Sequence, residues 1–181
     1  MIKSKGLRPG ILLFIFWPFA AFIRAIANVR FDSSKYVVWC FGAFVGFTFV
    51  IASDGVDAFR VAEQLNFFRQ NQINLIGLFS LFYQEGGFVD IIYPLLTYLV
   101  SFFTTDYRFL FAVFGFIFGY FYSKNIWFLI EHYQLSFNYF TILTLLVFSL
   151  VTSYWDIGGR FFIAIHVFLY ALKHVEMNVQ I

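Results

Sequence analysis

Asp54, Asp57 and Arg60 stand three residues apart in the stretch SDGVDAFR. On a helix that spacing makes them neighbours, so two carboxylates and a guanidinium would share one surface. Such a group can bind a sugar hydroxyl, hold a phosphate, or withdraw a proton as a general base. The same residues also suit a helix start, with Ser53 or Asp54 as N-cap and Asp57 favoured by the dipole of the first turn. A second set lies in YQEGGFVDIIY, 83–93, where Glu85 precedes the pliable pair Gly86-Gly87 and Asp90 follows. Glu85 there is either an acid, base or ligand at a helix entrance, or an acidic residue that stabilises that entrance.

The third set opens SYWDIGGRFFIAIHVFLYALKHV, 153–175. Asp156 and Arg160 are four residues apart, and Gly158 and Gly159 between them permit close approach of a backbone or a ligand. Arg160 keeps its charge, and its planar fork of donors matches carboxylate or phosphate. The apolar run behind them has the look of a membrane helix, and a charge at membrane depth costs about 2.5–3.5 kcal/mol. Such a pair is therefore either a structural ion pair or part of a site. His166 falls on a different face from Arg160, as an acid–base group or the donor of a structural hydrogen bond. His132 and His174, with Glu131 and Glu176 nearby, read as interfacial.

Other chemistries leave no trace in the sequence. No His-Glu-x-x-His run, phosphate-cradling glycine loop or serine nucleophile elbow is present. The one cysteine, Cys40, sits in an apolar run, which excludes a disulfide framework and a cysteine metal site. A net charge of +2 gives no electrostatic reason to bind nucleic acid.

The elements that would position these groups follow from composition. Of the 181 residues 61% are hydrophobic and 12% charged, with a mean hydropathy of +0.80, against about 25% charged in soluble domains. The expected fold is all-α: one integral membrane domain over 1–181, a polytopic transmembrane helix bundle of five or six spans. A span needs about 20 mainly apolar residues. The candidates are 10–27 (kinked at Pro18), 36–52, 88–103, 107–122 running on towards Ile130, 137–155 and 157–173. The first has basic residues before it but no small-x-small cleavage site after it, so it reads as a retained span rather than a signal.

Residues 53–87 stand apart. Ala58, Val61, Ala62 and Leu65 fall on one helical face and Asp57, Arg60, Glu63 and Gln64 on the other. The expectation is an amphipathic interfacial helix after the second span, lying along a membrane surface. Lys3, Lys5 and Arg8 set against Arg24, Arg30 and Lys35 leave the positive-inside rule in balance. Six full spans would also put 53–87 and 154–160 on opposite sides. They share one site only if Arg160 sits deep or a segment such as 88–103 is re-entrant.

The three charged sets, in this order, resemble a known group. SDGVDAFRVAEQL is similar to the Asp-x-x-Arg-Tyr segment of EpsG-family and Wzy-type polysaccharide polymerases, with Val61 where Tyr is usual. YQEGGF resembles the family's Glu-Pro-Gly-Phe/Tyr turn, with Gly86 in place of Pro. WDIGGRFFIAIHVFLYAL resembles its Asn-x-x-Gly-x-Arg-Phe-x-x-Ala stretch, with Asp156 where Asn is common. The resemblance implies a multi-pass enzyme of the bacterial inner membrane that joins oligosaccharide repeat units carried on undecaprenyl diphosphate. It acts by glycosyl transfer at the extracytoplasmic face, with no metal or other cofactor. Its partners would be the lipid-linked oligosaccharide, the bilayer and other polysaccharide-assembly membrane proteins.

On that reading Asp54, Asp57 and Glu85 are the catalytic carboxylates. Arg60, Arg160, Asp156 and His166 bind diphosphate or sugar. Family members are generally longer, so 1–181 is expected to be the front of such a fold, truncated at its C-terminal end. The alternative is a non-enzymatic transport or flippase component, or an interaction subunit, whose charges line a pathway or fix helix packing.

Overall fold

The computed structural model describes residues 8–28, 31, 33–51, 57–84, 91–133 and 163–173. Among them the chain is helical, with no strand. The elements are α1 (Arg8–Phe16), α2 (Pro18–Ala27), α3 (Ser33–Thr48), α4 (Asp57–Gln70), α5 (Leu75–Gln84), α6 (Ile92–Ser101), α7 (Tyr107–Tyr133) and α8 (Ile163–Lys173).

The kink expected in 10–27 is present. Proline has no amide hydrogen and pushes the residue before it out of helical geometry. Trp17 accordingly takes φ −150° and ψ 84°, and α2 starts afresh with Pro18. Bonds from Trp17 N to Leu13 O (2.8 Å) and from Ala21 N to Trp17 O (3.0 Å) carry the chain across the break.

α3 and α7 form the central pair. Each carries a Gly-x-x-x-Gly sequence, Gly42 and Gly46 on α3, Gly115 and Gly119 on α7. Four-residue spacing clears one helix face of side chains, and the two cleared faces meet. A Cβ on Gly42 would strike the carbonyl oxygen of Gly115, one on Gly115 that of Gly42, and one on Gly46 that of Phe111. A Cβ on Gly119 would stand 2.9 Å from the Val38 oxygen. These pairings, 38 with 119, 42 with 115 and 46 with 111, run antiparallel. Rings continue the register: Trp39 meets Phe116 and Tyr120, and Phe47 meets Phe109. The Trp39 indole N–H donates to Ser123 Oγ at 2.6 Å. α2 leans on α3 through Phe22 stacked on Phe41, centroids 4.1 Å apart.

On α4 the face foreseen from the pattern is the buried one: Ala58, Val61, Ala62 and Leu65, continued by Phe68. Protein covers it. Ala58, Val61 and Leu65 belong to the same core as Leu110, Phe111 and Phe114 of α7, and α4 packs along α6. A helix resting on a bilayer by itself would turn those residues to lipid; here the bundle covers them.

The joints at this end are made by polar groups. Arg69 of α4 donates to the Ser101 and Phe102 carbonyls at the end of α6, at 3.2 and 2.8 Å, which satisfies orphan acceptors at a helix C-terminus. Asn74 Oδ1 accepts from Gly77 N at 2.7 Å and caps α5. Asp106 Oδ1 accepts from Arg108 N at 2.9 Å and caps α7. α5 is a separate helix within what read as the polar 53–87 segment.

One helix among the described residues, over Tyr107–Leu129, is long and apolar enough by itself to cross a membrane. α3 has 16 residues and is shifted towards the N-terminus of the expected 36–52, while α6 has only 10, inside the expected 88–103. The segment 137–155 and the first residues of 157–173 lie outside the described residues.

Replacing Gly115 by Val should cost about 4 kcal/mol or more, the range of severe core changes, because backbone stands where its Cβ would go. Phe116→Leu, a half-exposed neighbour on α7, should cost far less. Thermal unfolding of the detergent-solubilised protein measures both, and similar melting points would contradict the glycine interlock.

Candidate functional site

Of the seven residues singled out as a site, three fall among the described residues: Asp57, Arg60 and His166. Asp54, Glu85, Asp156 and Arg160, together with Asp90, lie outside them.

Asp57 is the first residue of α4 and Arg60 follows one turn later. Their side chains meet at 3.5 Å, Nη1 to Oδ1, with both exposed. Glu63 continues the same outward face. The opposite face of α4 is locked into the bundle, so the pair is held out by a fixed helix. An exposed pair of this kind contributes only about 0–1 kcal/mol to folding. Chemically, it sets an acceptor beside a donor fork, and a hydroxyl and a phosphate oxygen could be bound side by side there.

His166 is placed differently. It is 3% exposed, on the face of α8 that packs against α7. Its ring stands edge-on to Phe118 and Tyr122, at 5.2 and 5.3 Å between centroids. Asn125 of α7 donates through Nδ2 to the His166 carbonyl oxygen at 2.8 Å and lies 3.4 Å from its Nδ1. The bond to α7 is thus accepted by its backbone carbonyl, and burial keeps the ring away from any solvent-borne substrate. Further along, Lys173 holds its ammonium 4.1 Å above the Phe128 ring, a cation–π contact. The contacts climb both helices in the same sense, from Phe118, Tyr122 and Asn125 at His166 to Phe128 at Lys173.

Asn125 is the functional-looking residue that the sequence reading passed over. Its signal was there, since an amide inside a long apolar helix needs a partner. Arg69 was missed for another reason: its acceptors are carbonyls on α6, which no side-chain pattern marks. Cys40 is exposed on α3. Among the described residues no three His, Cys, Asp or Glu side chains come together as a metal site would require. Comparison with protein-family models, with characterised proteins and with solved structures finds no match in any of the three.

The two polar contacts should separate on mutation. Asn125→Ala removes the bond to α8 and should cost about 1–2 kcal/mol. Asp57→Asn should cost less than about 0.5 kcal/mol. Unfolding of the purified protein in detergent reads both, and a larger loss from Asp57→Asn would make that pair a fold-holding contact rather than a displayed one.

Proposed function

We propose that the chain is a multi-pass protein of the bacterial inner membrane that works on a lipid-linked oligosaccharide, as a polysaccharide polymerase of the EpsG or Wzy type. The observation that carries the reading is the fixed outward display of Asp57 and Arg60 on α4, the helix that bears the first of the three family-like motifs.

The membrane part of the reading is supported by where charge is absent. Residues 36–48 of α3 and 109–121 of α7 contain no Asp, Glu, Lys or Arg, and the glycine register sets these two stretches side by side. At 1.5 Å per residue the shared uncharged belt is about 20 Å tall, and basic residues bound it. Lys124 of α7 keeps its ammonium near the Tyr120 ring, at 5.6 Å. The proposed bundle holds five or six membrane-crossing or membrane-entering segments, with the sequence-marked ones at 137–155 and 157–173 among them.

In the proposed reaction a hydroxyl on one repeat unit attacks the anomeric carbon of another. The new glycosidic bond forms as the bond to the diphosphate breaks, and the lipid diphosphate leaves. Asp57, Asp54 or Glu85 takes the hydroxyl proton, while Arg60 and Arg160 balance the charge gathering on the diphosphate. Asp156 would touch sugar. His166, from its buried place, would act by seating α8 against α7.

The test is polymer chain length in a host that depends on this protein. Arg60→Ala and Asp57→Asn should reduce long polysaccharide to single or few repeat units on a gel, with membrane levels of the protein unchanged. Unaltered ladders from both variants would refute the enzyme reading. Lipid-linked units stranded inside the cell would point to transport instead, and loss of the protein from the membrane would point to packing.

A further inference from the structure

α6 was expected to cross the membrane, yet the residues it touches show how far it reaches. Its end is tied to the start of α7 by the short connection Phe102–Asp106, and the two helices then run antiparallel. At the other end of α6, Tyr93 stacks face to face on Phe114 of α7, centroids 4.2 Å apart and planes 9° from parallel. Phe114 lies about 11 Å along α7 from Tyr107, at 1.5 Å per residue. α6 therefore begins beside the first third of α7. Its 10 residues make about 15 Å of helix, half of a hydrocarbon core about 30 Å thick.

α5 is matched to it. The α4 terminus that precedes α5 is fastened to the end of α6 by Arg69, so α5 starts where α6 finishes. Leu78 of α5 is fully buried in one cluster with Phe68 and Tyr98, and Leu81 and Leu95, a turn further in, flank the same cluster. α5 also has 10 residues. Its outer side is apolar, with Leu75, Ile76 and Phe79 all exposed, and α6 continues that surface with exposed Ile92 and Leu99. Two half-length helices, apolar outside, with both outer ends at the level of polar α4, fit the acyl chains of a single leaflet.

We infer that α5 and α6 are a re-entrant pair: the chain enters one leaflet from the α4 side and returns to that same side. This rests on the membrane reading above and deepens it. With α6 no longer a span, the end of α3, the end of α4, the end of α6 and the start of α7 share one membrane face. α8 runs in the same sense as α7, and His166, near its start, stands beside Phe118 and Tyr122, midway along that helix.

Single cysteines at Ala27, Gln70 and Thr105, each on a Cys40→Ala background, decide it. Sealed vesicles of the two opposite orientations are treated with a membrane-impermeant maleimide. Gln70→Cys and Thr105→Cys should label in the same preparation, with Ala27→Cys, beyond the far end of α3, labelled in the other. Labelling of Gln70→Cys and Thr105→Cys in opposite preparations would make α6 a span and overturn the inference. Labelling of all three in both preparations would remove the membrane embedding itself, and the inference with it. The chain-length assay is read separately, so a re-entrant pair without polymerase activity would leave this topology standing and the enzyme reading refuted.

Discussion

The arrangement of the whole chain depends on two helices whose backbones touch. Between α3 and α7 the carbonyl of Gly42 occupies the place where a Gly115 side chain would begin, and the reverse holds for Gly42. In an apolar solvent there is little hydrophobic gain in bringing two helices together, so association must come from dispersion contacts and short backbone approaches. Glycine makes those approaches possible and side chains would forbid them. Because collision and contact alternate every turn, the pair has one good register, and that register decides everything mounted on it. It sets Trp39 against Ser123, it sets Phe47 against Phe109, and it brings the end of α3 level with the start of α7.

Once that axis is fixed, the remaining helices are attached by a few directional contacts at its two ends. At one end, Arg69 closes α6 by bonding its last carbonyls, so α4 and α6 are joined through groups that would otherwise lack a partner. Towards the other end, Asn125 bonds a backbone carbonyl of α8, and Lys173 rests on Phe128. Orphan backbone groups in a low-dielectric setting are costly. Polar side chains here therefore act as joints, and their positions specify which helix ends meet.

Local patterns in the sequence carried the local structure. The four residues Ala58, Val61, Ala62 and Leu65 named the buried face of α4, and Trp17-Pro18 named the kink. Hydropathy failed at α6 because Ile91, Phe102 and Phe103 are as apolar as the helix they flank; a window average cannot tell helix from apolar turn. α5 was hidden for a related reason. Its Asn74 cap follows α4 after a short polar turn, and the turn blurred two helices into one segment. The glycine interlock was half legible. Both Gly-x-x-x-Gly runs are visible in the chain, yet which faces which depends on a contact some 70 residues distant. The site was the least legible of all, since four of its seven candidate residues lie outside the described residues and Asn125 needed α8 in place before it meant anything.

Arg60 is the residue that stability does not account for. It stands near the N-terminus of α4, where the helix macrodipole disfavours a cation, and Asp57 alone would serve that terminus better. The pair they make is exposed and weak. Moreover, α4 already has its anchor, a buried apolar face plus Arg69 at the far end, so nothing in the packing calls for a charge at 60. A cation placed against the local field, held beside a carboxylate on the exposed face of a docked helix, is open to an anionic ligand. On the function proposed above, that ligand is the diphosphate of a lipid-linked sugar.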